Sequence, residues 1–189
     1  ACPNAKILTS FPAGEAGLKA HYGDLGYTGV KSGDQLSLGS KTLQFVQIPM
    51  VHWPDSMVSY LVEDAILFSN DAFGQHFASS ERTDEEVPDI NEVFRESDKY
   101  YANIVLPFTG PVNNALQALG GLKINVIAPS HGIIWKKHIP DILDRYVHDY
   151  VNQDRVEQAA IVYDVGKHGK NCAGNCGCIR NQAHSLQND

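Results

Sequence analysis

The sequence predicts a mixed α/β (α+β) fold, and three observations point there. Short apolar runs of strand length recur between turn residues, as at 5–9, 57–62, 65–70 and 124–128. Two stretches read as hairpins. Longer stretches carry helical spacing, with Pro near their starts and Gly past their ends.

Taken in order, Ala5 to Thr9 is a short buried strand. Pro12 to Tyr22 is a helix closed by Gly23. Residues 33–48 form a hairpin, with turns at Gly33-Asp34 and Leu38 to Lys41. Met57 to Val62 and Ala65 to Asn70 form a second, around Glu63-Asp64. The acidic stretch 79–90 (SSERTDEEVPDI) reads as a solvated loop. A helix spans Asn91 to Leu106 with Val93, Phe94, Tyr101, Ile104 and Val105 as its apolar members, and Pro107 ends or kinks it. Pro111 to Leu119 is a helix closed by Gly120-Gly121, and Ile124 to Ala128 is a strand. The clearest helix runs from His138 to Val151, where Ile139, Ile142, Leu143, Tyr146, Val147, Tyr150 and Val151 form one stripe. That stripe speaks of packing, not of chemistry. Residues 152–158 read as a linker. Ala159 to Asp164 starts a new strand, and a Gly-, Asn- and Cys-rich tail follows.

Composition narrows the function classes. Of 189 residues, 43% are hydrophobic and 20% charged, as in soluble globular proteins. The net charge of −7 argues against a nucleic-acid or anionic-membrane partner. No apolar run approaches the roughly 20 residues of a membrane span. The start, Ala1-Cys2-Pro3-Asn4, lacks the pattern of a signal peptide. Cys2, Cys172, Cys176 and Cys178 all lie outside the apolar middle, so a reducing cytoplasm is the default expectation.

Three potential metal ligands share a context, each just past an apolar run: His52, Asp71 and His131. Loops at strand ends are where rigid sheets present functional groups. Imidazole and carboxylate both suit iron, zinc and manganese, and a carboxylate can bridge two cations. The plain alternatives stand beside this. A His beside a strand is ordinarily a hydrogen-bonded or surface residue, and an Asp at a strand end is ordinarily a turn former. Spacings of 19 and 60 residues match no short metal motif. In the tail, Cys172-x3-Cys176-x-Cys178 with His168 and His184 has thiolates for a metal, but not the spacing of standard ligand pairs.

The wording around the three residues is more specific than their spacing. His52-Trp53-Pro54-Asp55-Ser56-Met57, Leu67-Phe68-Ser69-Asn70-Asp71-Ala72-Phe73-Gly74 and Ala128-Pro129-Ser130-His131-Gly132-Ile133-Ile134-Trp135 occur in that order. With Lys99 to Ile104 between them, they resemble the flavodiiron protein family (rubredoxin:oxygen oxidoreductase-like) over roughly residues 1–164. The resemblance implies a metallo-β-lactamase-like αββα sandwich holding two non-haem irons, then a flavodoxin-like domain holding FMN. It implies a head-to-tail homo-oligomer with an electron donor such as rubredoxin. The implied reaction is reduction of dioxygen to water or of nitric oxide to nitrous oxide. Residue by residue, it makes His52 a ligand of one iron, His131 a ligand of the other, and Asp71 the bridging carboxylate.

The sequence also departs from that pattern. The family's first metal motif, H-x-E-x-D-H, is absent and is expected upstream of Ala1. The resemblance therefore implies the C-terminal portion of the diiron domain over residues 1–158, with about one sheet and an apolar sheet face left open. Residues 159–189 start a flavodoxin-like strand and then run into Val165 to Asn171, which has no Ser or Thr for a flavin phosphate. The isolated chain is expected to be inactive. Two other readings remain: a zinc-dependent hydrolase of the same superfold, acting through a metal-bound water, and a non-catalytic remnant or assembly module.

Overall fold

The structure, a computed structural model, describes residues 4–150. The expected linker, the strand at 159–164 and the cysteine tail lie outside the described residues. Seven strands and four α-helices follow in order: β1 (Ile7–Ser10), α1 (Ala13–Tyr22), β2 (Tyr27–Val30), β3 (Gln35–Ser37), β4 (Thr42–Gln47), β5 (Met57–Leu61), β6 (Ile66–Asn70), α2 (Ile90–Tyr100), α3 (Thr109–Leu119), β7 (Val126–Pro129) and α4 (Ile139–Asp144). The mixed α/β expectation holds, and both hairpins form where the turn residues place them. Gly39, at φ +88°, and Ala65, at φ +56°, supply left-handed backbone at these turns.

The main sheet has the order β3-β4-β5-β6-β7. Its first four strands are antiparallel neighbours, and β7 joins β6 in parallel. Alternation decides its two faces. Val58, Tyr60, Leu67 and Ser69 are buried, while Ser59 and Leu61 are half-buried and Phe68 is 44% exposed. The buried face meets Val93, Phe94, Val105, Val112, Leu119, Ile139 and Ile142 of the helical segments in one continuous core. Each fully buried aliphatic side chain there stabilises the fold by roughly 1.5–3 kcal/mol.

Three segments differ from the sequence expectation. Beside the main sheet, β1 and β2 pair in parallel as a small sheet of their own. No strand is expected at 27–30 from the sequence, because Tyr27-Thr28-Gly29-Val30 is short and interrupted by Gly. Gly29 is required there, since a Cβ would stand 2.9 Å from the Phe11 side chain. The helix expected to 106 is α-helical to Tyr100, then widens into a π-helical turn at Tyr101–Val105 and tightens at Leu106–Phe108 around Pro107. The last helix likewise becomes π-helical at Arg145–Tyr150.

The acidic stretch differs as well, since it is not simply a solvated loop. Asp84 is 3% exposed, and its carboxylate accepts from the backbone N–H groups of Lys136, Lys137 and His138. A buried anion is tolerated because three donors surround it. The charge run fastens the segment before α4 to the body of the domain.

Candidate metal centre

The three sequence-predicted residues meet at one end of the main sheet. Asp71 follows β6 directly. His131 lies two residues past β7, the parallel neighbour of β6, so adjacent strands deliver these two side chains to the same edge. His52 arrives from the β4–β5 loop, where the Val51–His52 peptide is cis. The Asp71 carboxylate stands between the rings. Its Oδ2 lies 3.4 Å from His52 Nε2 and its Oδ1 lies 3.4 Å from His131 Nε2.

That separation suits cations better than direct hydrogen bonds. An N–H···O bond spans about 2.7–3.2 Å. Two donors each about 2.1 Å from one cation, at a tetrahedral angle, stand about 3.4 Å apart. Each half of the carboxylate is thus paired with one imidazole, as a carboxylate shared by two cations requires. Among the described residues no three His, Cys, Asp or Glu side chains converge on a single ion position. One nitrogen and one oxygen on each side is the donor set present, and it fits a two-cation centre with further ligands supplied from elsewhere.

The backbone around the site is held in unusual conformations. Met50, Asn70 and Phe73 adopt left-handed φ of 65°, 58° and 64°. For residues with a Cβ this costs about 1–3 kcal/mol each, which surrounding bonds must over-determine. They do so at Phe73. Its N–H donates to Tyr146 Oη at 2.9 Å, and its carbonyl accepts from Trp135 Nε1 at 2.8 Å and from Gln75 Nε2 at 3.2 Å. Trp135, Gln75 and Tyr146 are all buried. At Asn70 the carbonyl accepts from Ser130 N–H at 2.7 Å, tying the end of β6 to that of β7.

Two further groups reach the His131 side. The Tyr100 ring lies 5.9 Å from the His131 ring and 4.9 Å from that of His76, and the His76 ring is 6.1 Å from His131. Burial, and then the negative charge of Asp71, push the Tyr100 phenol well above its ordinary pKa, so it keeps its proton at neutral pH. On the other side, His52 lies against Trp53, which is 62% exposed, and Phe108. An open cleft of about 500 Å³ leads to Asp71 between α1 and the 53–56 segment. Sequence reasoning did not single out Gln75, His76 or Tyr100 individually. His76, five residues after Asp71, was the legible signal; a buried Gln carries none.

Comparison with known proteins bears on the fold that carries these residues. Residues 10–132 match the family model described as ODP family beta lactamase. The nitric oxide reductase of Moorella thermoacetica is 45% identical over 167 residues, covering 86% of this chain and 41% of that protein. The rubredoxin oxygen:oxidoreductase of Desulfovibrio gigas superposes with a TM-score of 0.74 at 37% identity, over 80% of this chain and 38% of that one. The flavodiiron protein of Giardia intestinalis gives 0.72 at 34%, over 76% and 36%. The chain therefore spans about two fifths of the length of such relatives. By its match across residues 10–132 this chain belongs to the ODP beta-lactamase family, and its fold there is that of the metallo-β-lactamase-like region of flavodiiron proteins.

Proposed function

We propose that this chain is a portion of a flavodiiron oxidoreductase that reduces dioxygen to water, nitric oxide to nitrous oxide, or both. The observation that carries the reading is the Asp71 carboxylate, with one oxygen 3.4 Å from each imidazole. In this reading His52 and Asp71 would help hold one iron, and His131 and Asp71 the other. Irons bound there would supply the redox chemistry for reducing a diatomic gas. The protein's own residues set the geometry. The shared carboxylate offsets repulsion between neighbouring cations. Tyr100 retains its phenolic proton beside the His131 ring.

The family resemblance and the relatives' names support the rest of the proposal. FMN is the electron source of the complete protein, a rubredoxin-type protein is its donor, and a head-to-tail homo-oligomer brings flavin and iron together. The setting is cytoplasmic. Among the described residues no helix is long and apolar enough to cross a membrane. The diiron portion is assigned to residues 1–158, and 159–189 to the start of the next region.

Anaerobic titration with cobalt(II), followed by absorption, of the complete protein, whose upstream segment supplies the remaining ligands in this reading, tests the assignment. Two cations per chain are expected. His52→Ala and His131→Ala should each remove a different one, and Asp71→Ala should weaken both by about 100-fold or more. No uptake at all, or one ion lost alike in both His variants, would sink the reading. The first of those results would leave an assembly module.

A further inference from the structure

We propose that Gln75 is a positioning residue that fixes the His131 loop against the Asp71 turn, and that it does so independently of the His52 side. The inference rests on the metal reading above but has its own structural content.

Gln75 is fully buried, at 0% exposure. Its side-chain Oε1 accepts from Ile133 N–H at 2.7 Å. Its Nε2 donates to Phe73 O and to Ile133 O, both at 3.2 Å. Its backbone N–H donates to His131 O at 3.2 Å. Three of these four bonds cross to the loop after β7, and the fourth holds the turn after Asp71. A carboxamide offers donors and an acceptor at one reach, whereas Glu loses the donors and Met has neither. The two loops are also in backbone contact. A Cβ on Gly132 would fall 1.7 Å from Gln75 Oε1, and one on Gly74 would fall 2.9 Å from Asp71 O and 3.4 Å from His131 Cβ. With glycine on both sides of the junction, the Gln75 amide sets the spacing between the loops.

An apolar side chain here would leave the Ile133 N–H and the Phe73 and Ile133 carbonyls short of partners, so the amide both satisfies them and specifies the register of the two loops. The loop that carries His52 has no share in them. It closes on itself through Ile48 N–H to Ser56 O, Met50 N–H to Trp53 O and Trp53 N–H to Ser56 Oγ. Loss of the Gln75 amide should therefore act on one side of the site.

The test uses the 189-residue chain with Gln75→Met and Gln75→Glu, beside Ile142→Val as a control for general destabilisation. Metal-free hydrogen exchange is read for peptides 71–76, 130–135 and 48–56. Both Gln75 variants should speed exchange in the first two by about tenfold or more and leave the third unchanged. Parallel acceleration of all three, or none in 130–135, would overturn the clamp. In the cobalt titration, both variants should weaken the cation that His131→Ala removes by about 10–100-fold, and weaken less the one that His52→Ala removes, which shares only Asp71 with the clamp. Equal weakening of both would count against the proposal. If the unsubstituted complete protein takes up no cobalt, the metal reading fails, and the exchange data alone decide the clamp.

Discussion

The two imidazoles are held in different ways. His131 sits on a loop tied to the Asp71 turn by buried bonds from residues far apart in sequence: Gln75, Trp135 and Tyr146 all converge on Phe73 or the 131–133 backbone. His52 sits on a loop closed chiefly by neighbours within eight residues, with Ser10 Oγ donating to Asp55 O as a long-range hydrogen bond. Its partner Trp53 is largely exposed. One flank of Asp71 is thus built into the core, and the other is met by a locally organised loop beside the open cleft.

The comparison predicts unequal costs. Trp135→Ala should destabilise the chain most, by about 3–5 kcal/mol, because it empties a fully buried indole site and removes the donor to Phe73 O. Trp53→Ala, on the His52 side, should stay within about 0.5 kcal/mol. Urea unfolding of the two variants measures the contrast, and equal losses would break it.

A smaller effect is expected from Tyr146→Phe. It leaves the Phe73 N–H buried without its acceptor, at about 1–3 kcal/mol. Cobalt uptake should fall on the His131 side only. If uptake falls on the His52 side instead, the division between the flanks is wrong.

The smallest effect at ordinary pH is a linkage effect that emerges in alkali. Burial raises the Tyr146 phenol well above the tyrosine value near 10, and the Phe73 hydrogen bond only partly opposes this. A folded-state pKa raised above the unfolded one leaves stability intact below about pH 10. Stability then falls as pH rises toward the folded value, by about 1.4 kcal/mol per pH unit for this group. Thermal unfolding between pH 8 and 11 should show the decline, and Tyr146→Phe should flatten it. An unchanged slope in that variant would remove Tyr146 as its source.

The sequence by itself determined the local elements and the identity of the candidate ligands. Alternating and helical apolar periods are properties of neighbours a few residues apart, so both hairpins, α1, α3 and the stripe on the last helix were readable. Gly and Pro marked their ends. His52, Asp71 and His131 were readable because each follows an apolar run, and the wording around them is specific. Only the tertiary structure decided the rest. The strand at 27–30 exists because β1 stands beside it, not because Tyr27-Thr28-Gly29-Val30 insists on extension. The π-helical turns let Tyr100 and Tyr101 be buried together, and Tyr101 to stack on Tyr150 at 4.2 Å. Asp84 looks like one more surface acid until three N–H groups from 136–138 close around it. Gln75 is invisible in sequence for the same reason. Three of its four bonds reach partners 56 to 58 residues away, and a hydrogen bond across that separation leaves no period or composition to read.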